Sequence, residues 1–217
     1  MNLEGKICVI TAGPTYEAID PVRFIGNRSS GRMGIELAEF VGHRGAQVIL
    51  VLGPSSIKIN NSEHIRVIRV ETAEQMYQAV SEYSDAMDIG IFAAAVSDYR
   101  PAVIAGQKIK KSGDTMTIEL IKNKDILAEV GKRKKPNQIL VGFALETNDE
   151  IEHAKSKLDR KNLDMIVMNS LRDEGAGFQH LTNKVTILDR HNNIQKFELK
   201  TKREVAHDIV QYIEDKF

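Results

Sequence analysis

The sequence predicts an α/β fold: a doubly wound, mostly parallel, sheet with helices on both faces and an added β-hairpin at about 107–121. Three observations point there. Apolar runs of strand length alternate with amphipathic segments of helical period. Some of those runs are apolar almost throughout, as strands covered on both faces require. The alternation is the pattern that winds helices over both faces of one open sheet.

Lys6 to Thr11 reads as a buried strand, and a loop of about twenty residues follows it, long for such a connection and more often functional. Residues 32–44 form a helix whose inner face is Met33, Ile35, Leu37, Ala38 and Val41; Gly45 ends it, and a second strand runs 46–52. Ile65 to Val70 is a third strand, and Thr72 starts the next helix, with Glu74 in its first turn. Asp88 to Ala94 is a fourth strand. A helix near 124–134, a strand at 138–143, a helix at 149–161 and a strand at 164–168 continue the rhythm.

Two segments break it. In 107–121, Gln107–Lys111 and Thr115–Ile121 flank a Ser-Gly-Asp turn, and Met116, Ile118 and Leu120 alternate with polar neighbours. A two-stranded hairpin is marginal alone and needs cover, from its own domain or from a second subunit. Residues 184–199 form another hairpin, with its turn near His191, leading into a C-terminal helix from Thr201.

The 217 residues fit one domain, 1–217, and 42% hydrophobic residues suffice for its core. Thirty basic and thirty acidic side chains cancel, so no global field draws the chain to nucleic acid or anionic lipid. No apolar run has membrane-span length and no signal peptide opens the chain, so the expected location is cytoplasmic. Cys8, alone, excludes an intrachain disulfide, and the scattered histidines do not suggest a zinc site.

In an open parallel sheet, ligands sit beyond the carboxyl ends of the strands, where the strand order reverses. If the first and fourth strands flank that point, Thr11-Ala-Gly-Pro-Thr15 and the Asn27–Gly34 turn face Ala93–Pro101, with Phe143 and Glu146 on a neighbouring loop. Ser29, Ser30 and Gly31 precede a helix, whose N–H groups and positive dipole end favour an anion; Gly31 and Gly34 would let backbone approach it. Arg23 suits a phosphate or carboxylate, or a surface ion pair. Lys108, Lys110 and Lys111 crowd together on the hairpin, and Lys157 and Lys161 share a helix face. The G-x-G-x-x-G turn of a Rossmann dinucleotide site is absent.

Thr11-Ala-Gly-Pro-Thr15, Asp20-Pro-Val-Arg23, Asn27-Arg-Ser-Ser-Gly31, Ala94-Ala-Val96 with Asp98-Tyr99, Lys108-Ile-Lys-Lys111, Gly142-Phe-Ala144 with Glu146-Thr147, and Arg160-Lys-Asn-Leu-Asp164 occur in order over nearly the whole chain. Together they resemble phosphopantothenate–cysteine ligase, in its stand-alone bacterial form without a decarboxylase domain. The resemblance implies a Rossmann-like fold and a two-step ligation. The carboxylate of 4′-phosphopantothenate attacks the α-phosphate of CTP, and the cysteine amine then displaces CMP. It implies CTP and Mg²⁺ without flavin, and a homodimer through the hairpin near 107–121.

By the same resemblance, Lys108 stabilises charge as the acyl-cytidylate forms, Asn27 holds that intermediate through its amide, and Arg23 serves the acyl substrate. Ser29, Ser30 and Gly31 meet phosphate, and Asp98 engages the ribose or its cation. Phe92, Ala93, Ala94, Lys124, Asp125, Ile126, Leu127 and Phe143 shape the cytidine pocket, while Lys157 and Lys161 complete the nucleotide contacts. Metal ligands are unassigned. Ser97 and Leu145 stand where the family usually has alanine, and Gln179-His-Leu181 replaces its usual approach to Thr182-Asn183. The alternatives are an NAD(P)-dependent reductase on a similar sheet, which the missing glycine turn disfavours, and a non-catalytic nucleotide-binding module.

Overall fold

The structure is a computed structural model that describes residues 1–60, 63–111, 113–146, 150–170 and 180–217. From the N-terminus, β1 (Ile7–Ala12) enters the long loop, which holds a ribbon of β2 (Tyr16–Ala18) and β3 (Phe24–Gly26), and then α1 (Arg32–His43). β4 (Gln47–Leu52) and β5 (Ile65–Arg69) precede α2 (Ala73–Tyr83). β6 (Ile89–Phe92) is followed by a second ribbon, β7 (Tyr99–Pro101) with β8 (Leu120–Lys122). Next come α3 (Ile126–Lys132), β9 (Ile139–Glu146), α4 (Glu150–Arg160) and β10 (Met165–Ser170). β11 (Thr182–Asn183), β12 (Val185–Asp189), β13 (Ile194–Lys196), β14 (Lys200–Thr201) and α5 (Lys202–Lys216) complete the chain.

Eight strands make the main sheet in the order β13-β12-β10-β9-β6-β1-β4-β5. β10 through β5 run parallel, while β12 and β13 add antiparallel to the edge. The chain runs outward from β1 to β5 and returns to place β6 on the other side of β1. The reversal therefore falls between β1 and β6, the first and fourth strands of the sequence reading.

Strand alternation divides the core into two layers. Cys8, Ile10 and Ala12 of β1 pack with Leu37 and Val41 of α1 and with Val205 and Ile209 of α5. Val9 turns to the opposite face, where Met76 and Val80 of α2, Val130 of α3 and Leu158 of α4 lie. Thr72 caps α2 in a capping box with Gln75, and Thr201 caps α5 in one with Glu204, so each helix start is fixed by local chemistry. Asp189 closes the β12–β13 turn by accepting from the His191 and Asn193 backbones and from Tyr212 Oη.

Two expectations change. Residues 107–121 do not pair into a hairpin of their own. Tyr99–Pro101 pairs with Leu120–Lys122 instead, and the described residues between them form no strand. Met116 is 51% exposed, so the apolar face that would stabilise the expected hairpin has no cover in the monomer. Pairing occurs only near the body, where the Ala102 N–H to Glu119 carbonyl bond (2.9 Å) extends it. The long first loop, in turn, is ordered by its own ribbon, with Tyr16 and Phe24 stacked at 3.9 Å between ring centroids.

Gly34 also has a use beyond the expected one. A Cβ there would lie 2.5 Å from Cβ of Ala12, so its bare backbone lets α1 seat directly on β1. Gly34→Ala should therefore destabilise the fold by about 1–3 kcal/mol through overpacking. Urea denaturation of the purified variant checks this; a midpoint equal to that of the parent chain would refute the contact.

Candidate active site

Past the ends of β1 and β6, the two loops are bonded to each other. Thr11 Oγ1 accepts from the Ala94 N–H (3.3 Å), the Gly13 carbonyl from the Ala95 N–H (2.9 Å), and Thr15 Oγ1 from the Ser97 N–H (3.0 Å). The Ser97 hydroxyl is buried and donates to the Thr15 carbonyl at 3.3 Å, which adds a side-chain tie to the seam.

Two cavities of about 360 Å³ each open along this edge. The first lies between the Asn27–Gly34 turn and Ala93–Val96, with Lys157 and Lys202 also in its wall. The second is bounded by Phe92, Lys122–Leu127 and Lys161. Ala94, Val96, Asp98 and Phe143 line both and join them. Of the residues expected to contact nucleotide, all but Lys108 lie in one wall or the other.

In the first cavity, α1 begins at Gly31, whose φ of 82° is left-handed and suits glycine. No side chain caps that helix, and Arg32, Met33 and Gly34 of its first turn line the cavity. Ser29 Oγ accepts from the Gly31 N–H at 3.3 Å, leaving the hydroxyl hydrogen to donate elsewhere. The turn thus offers donors and a positive helix end to an anion.

Asn27 donates both amide hydrogens to carbonyls across the seam, to Ala95 at 2.9 Å and Val96 at 3.3 Å. With carbonyls on that side, the nitrogen must face them, so Oδ1 is the atom left for a ligand. That makes Asn27 an acceptor, suited to an incoming N–H.

In the second cavity, Asp125 caps α3 through the Ala128 N–H and pairs with Lys161 at 2.7 Å. Burial pushes the Asp125 carboxyl up, but the Lys161 hydrogen bond and charge, with the Ala128 N–H, outweigh it and hold the group below the usual carboxylate range. Lys124 pairs with Glu74 at 3.1 Å and lies over the Tyr77 ring at 4.4 Å. Asn123 fixes the floor by donating to the Ser97 carbonyl at 2.8 Å.

Arg23 and Lys108 lie outside both cavity linings. Arg23 grips Asp20 through Nε (3.0 Å) and NH2 (2.5 Å), and NH2 also donates to the Ile109 carbonyl (3.0 Å). Asp20 accepts the Ile109 N–H in return at 3.1 Å. This cluster anchors the 102–119 segment beside Lys108, which is itself exposed. Glu146 and Thr147 were singled out from sequence, but the side chain of the former and all of the latter lie outside the described residues.

Several cavity residues escaped the sequence reading: Arg32, Asn123, Asn169, Asn183 and Lys202. Arg32 was visible inside the Ser-Gly-Arg-Met-Gly turn. Asn169 and Asn183, bonded to each other at 3.1 Å, carried no signal because chain segments distant in sequence bring them together.

Residues 3–217 match the family model described as the DNA/pantothenate metabolism flavoprotein C-terminal domain. The chain belongs to this family. Within it, a protein named Cysteine/Cysteine sulfinic acid decarboxylase, from an unknown prokaryotic organism, is 57% identical over 97% of this chain and 58% of its own length. The Coenzyme A biosynthesis bifunctional protein CoaBC of Bacillus subtilis is 47% identical over 97% of this chain and 52% of its own. The chain thus spans about half the length of the curated relatives it matches. A crystal structure of the C-terminal domain of Coenzyme A biosynthesis bifunctional protein CoaBC superposes with a TM-score of 0.82 at 40% identity, covering 99% of this chain and 97% of the other.

In this chain, the Asp20 carboxyl is held well below the usual carboxylate range, chiefly by Arg23 and then, against burial, by the N–H groups of Val22, Ile109 and Arg23. A carboxyl depressed by folding stabilises the native state above its unfolded value, about pH 4, and that stabilisation fades as pH falls toward the folded value. The melting temperature should therefore drop on acidification below about pH 4, and Asp20→Asn should lower it at neutral pH while flattening that acid limb. Thermal unfolding between neutral and acid pH tests this; parallel acid limbs in both proteins would exclude Asp20 as their cause.

Proposed function

We propose that the chain is a phosphopantothenate–cysteine ligase of coenzyme A biosynthesis, a cytoplasmic protein whose substrates are 4′-phosphopantothenate, cysteine and CTP. The observation that carries the reading is the pair of joined cavities. One has the donors for phosphate and an amide acceptor, and the other has the size and polar rim for a nucleoside. The name of the Bacillus subtilis relative, a coenzyme A biosynthesis protein, supports the reading.

In the first step a carboxylate oxygen of phosphopantothenate attacks the α-phosphorus of CTP. The bond to the bridging oxygen breaks, and its electron pair leaves with pyrophosphate. The α1 turn and cavity lysines are fixed donors for the charge that develops there. In the second step the cysteine amine attacks the acyl carbon, and CMP leaves with the electron pair of the acyl–oxygen bond. Asn27 Oδ1 is the acceptor that would orient the amine N–H, and holding the two reactants together supplies the rest. Neither step transfers electrons to or from a redox group, so the scheme needs no flavin.

Among the described residues, no group of three or more His, Cys, Asp or Glu is placed to hold a metal ion. Mg²⁺ therefore fits this reading as the counter-ion that arrives with the triphosphate, not as a resident ion.

Arg23 and Lys108 fit through the 102–119 segment, which would meet the acyl substrate in a homodimer. Val103 is 81% exposed, and Ile104, Met116 and Leu120 are exposed beside it, as a surface made for a second copy would be. Sedimentation of the purified chain should give a dimer, and Met116→Glu should shift it toward monomer; a monomeric parent chain would refute this interface.

The assay supplies each nucleoside triphosphate with phosphopantothenate and cysteine and measures pyrophosphate. Release with CTP, and only when phosphopantothenate is present, is the expected result. Absence of release with every nucleotide, or CO2 evolved from cysteine alone, would overturn the reading. Lys108→Gln should nearly abolish turnover. Asn27→Ala should release pyrophosphate in a burst and then stall before CMP, visible as acyl-cytidylate by mass spectrometry.

A further inference from the structure

Two stretches of chain that are distant in sequence face each other in the second cavity. One is the end of β6 with its loop, Phe92 to Asp98; the other is the run from Lys122 to Leu127 that opens α3. Between them the chain leaves the body through β7 and returns through β8. That ribbon brings the two stretches together at its inner end, where Tyr99 pairs with Lys122. Asn123 is the next residue, and it carries the pairing on into the cavity floor.

Three groups of Asn123 are engaged there. Its backbone N–H donates to the Asp98 carbonyl at 2.8 Å, and Nδ2 donates to the Ser97 carbonyl, also at 2.8 Å. Oδ1 accepts from Arg100 Nη1 at 2.9 Å, and the same nitrogen donates to the Lys122 carbonyl at 3.0 Å. A guanidinium only donates, so it holds Oδ1 towards itself and turns Nδ2 to Ser97. A bond from a cation is also the stronger kind. Ser97 is held in its turn, because its N–H and its hydroxyl both bond to the fully buried Thr15. Arg100, Asn123, Ser97 and Thr15 thus make one hydrogen-bonded line from the start of α3 to the seam between β1 and β6.

We propose that Asn123, oriented by Arg100, is a positioning residue that sets the width of the nucleoside cavity and with it the preference for a pyrimidine over a purine. The proposal rests on the nucleotide reading of this cavity. Lys124 and Asp125 follow Asn123 directly, and Asp98 follows Ser97, so the bonds to the two carbonyls fix how far these polar side chains stand apart. A purine carries a second fused ring, and a gap of fixed width discriminates against it by size. Widening the gap costs the smaller ring its close contacts and relieves the larger one. When the Asn123 side chain is truncated, the backbone bond to Asp98 remains and only the Ser97 side is released.

The test is calorimetric titration of the whole chain with CTP and with ATP, each with Mg²⁺. The parent chain should bind CTP more tightly. Asn123→Ala should weaken CTP about tenfold, the order of one lost hydrogen bond, and ATP by much less, so that the ratio between them falls. General damage to the scaffold would weaken both alike. Arg100→Met should weaken CTP several-fold by itself and add nothing to Asn123→Ala, because the arginine acts through the amide. In steady state, the KM for CTP should rise in Asn123→Ala while those for phosphopantothenate and cysteine stay as they are. Unchanged CTP affinity in Asn123→Ala, an equal loss of CTP and ATP, or additive effects of the two substitutions would each overturn the proposal. If Asn123→Ala does not fold, Arg100→Met carries the test, and an unchanged ratio of CTP to ATP affinity there overturns it. Turnover with CTP beside unaltered binding in Asn123→Ala would remove the proposal and leave the ligase reading. The expected binding pattern without pyrophosphate release would do the reverse.

Discussion

The seam between the ends of β1 and β6 is the constraint on which the site depends. Neighbouring parallel strands whose onward connections run to opposite sides of a sheet leave a crevice at their carboxyl ends. Here Thr11 and Thr15 set its shape, because their hydroxyls accept backbone N–H groups that no longer have a strand partner. With Ala93–Ser97 fixed in this way, Asn27 can spend both amide hydrogens on the opposite loop and keep its oxygen for a ligand. The same seam sets the separation between the α1 turn and Asp98. A shift of an ångström there would move every donor that lines the first cavity.

Much of this was legible in the sequence because the signals were local. Apolar runs marked the strands of the sheet, Thr72 and Thr201 marked helix starts, and a reversal between the first and fourth strands was a supposition that the strand order bears out. The three-residue strands of the two ribbons were not legible. They are too short to show alternation, and their pairing depends on the neighbouring body. The 107–121 segment shows the opposite failure. Its alternation was real, but alternation predicts a face that wants cover, not the element that supplies it.

The site residues divide along the same line. Ser29, Ser30, Gly31 and Asp98 stood in compact motifs beside strand ends, where the topology of the sheet gives them a meaning. Lys202 had no such motif. A lysine opening an amphipathic helix reads as solvated, and only the packing of α5 against α1 buries it. Arg23 was expected to hold a phosphate or carboxylate, or to form a surface ion pair. The carboxylate it holds in this structure is its own neighbour Asp20, which ties the loop to the lysine-bearing segment.

Those two kinds of residue show where a chain with no net charge keeps its local charge. Thirty acidic and thirty basic groups cancel over the whole molecule, so attraction at long range is weak. The field is instead concentrated at short range, where Arg32, Lys157 and Lys202 share one cavity wall. An anion bound at that wall would meet these groups directly. Binding to the native state alone then stabilises it by RT ln(1 + [L]/Kd), about 2.7 kcal/mol at a hundredfold excess over Kd.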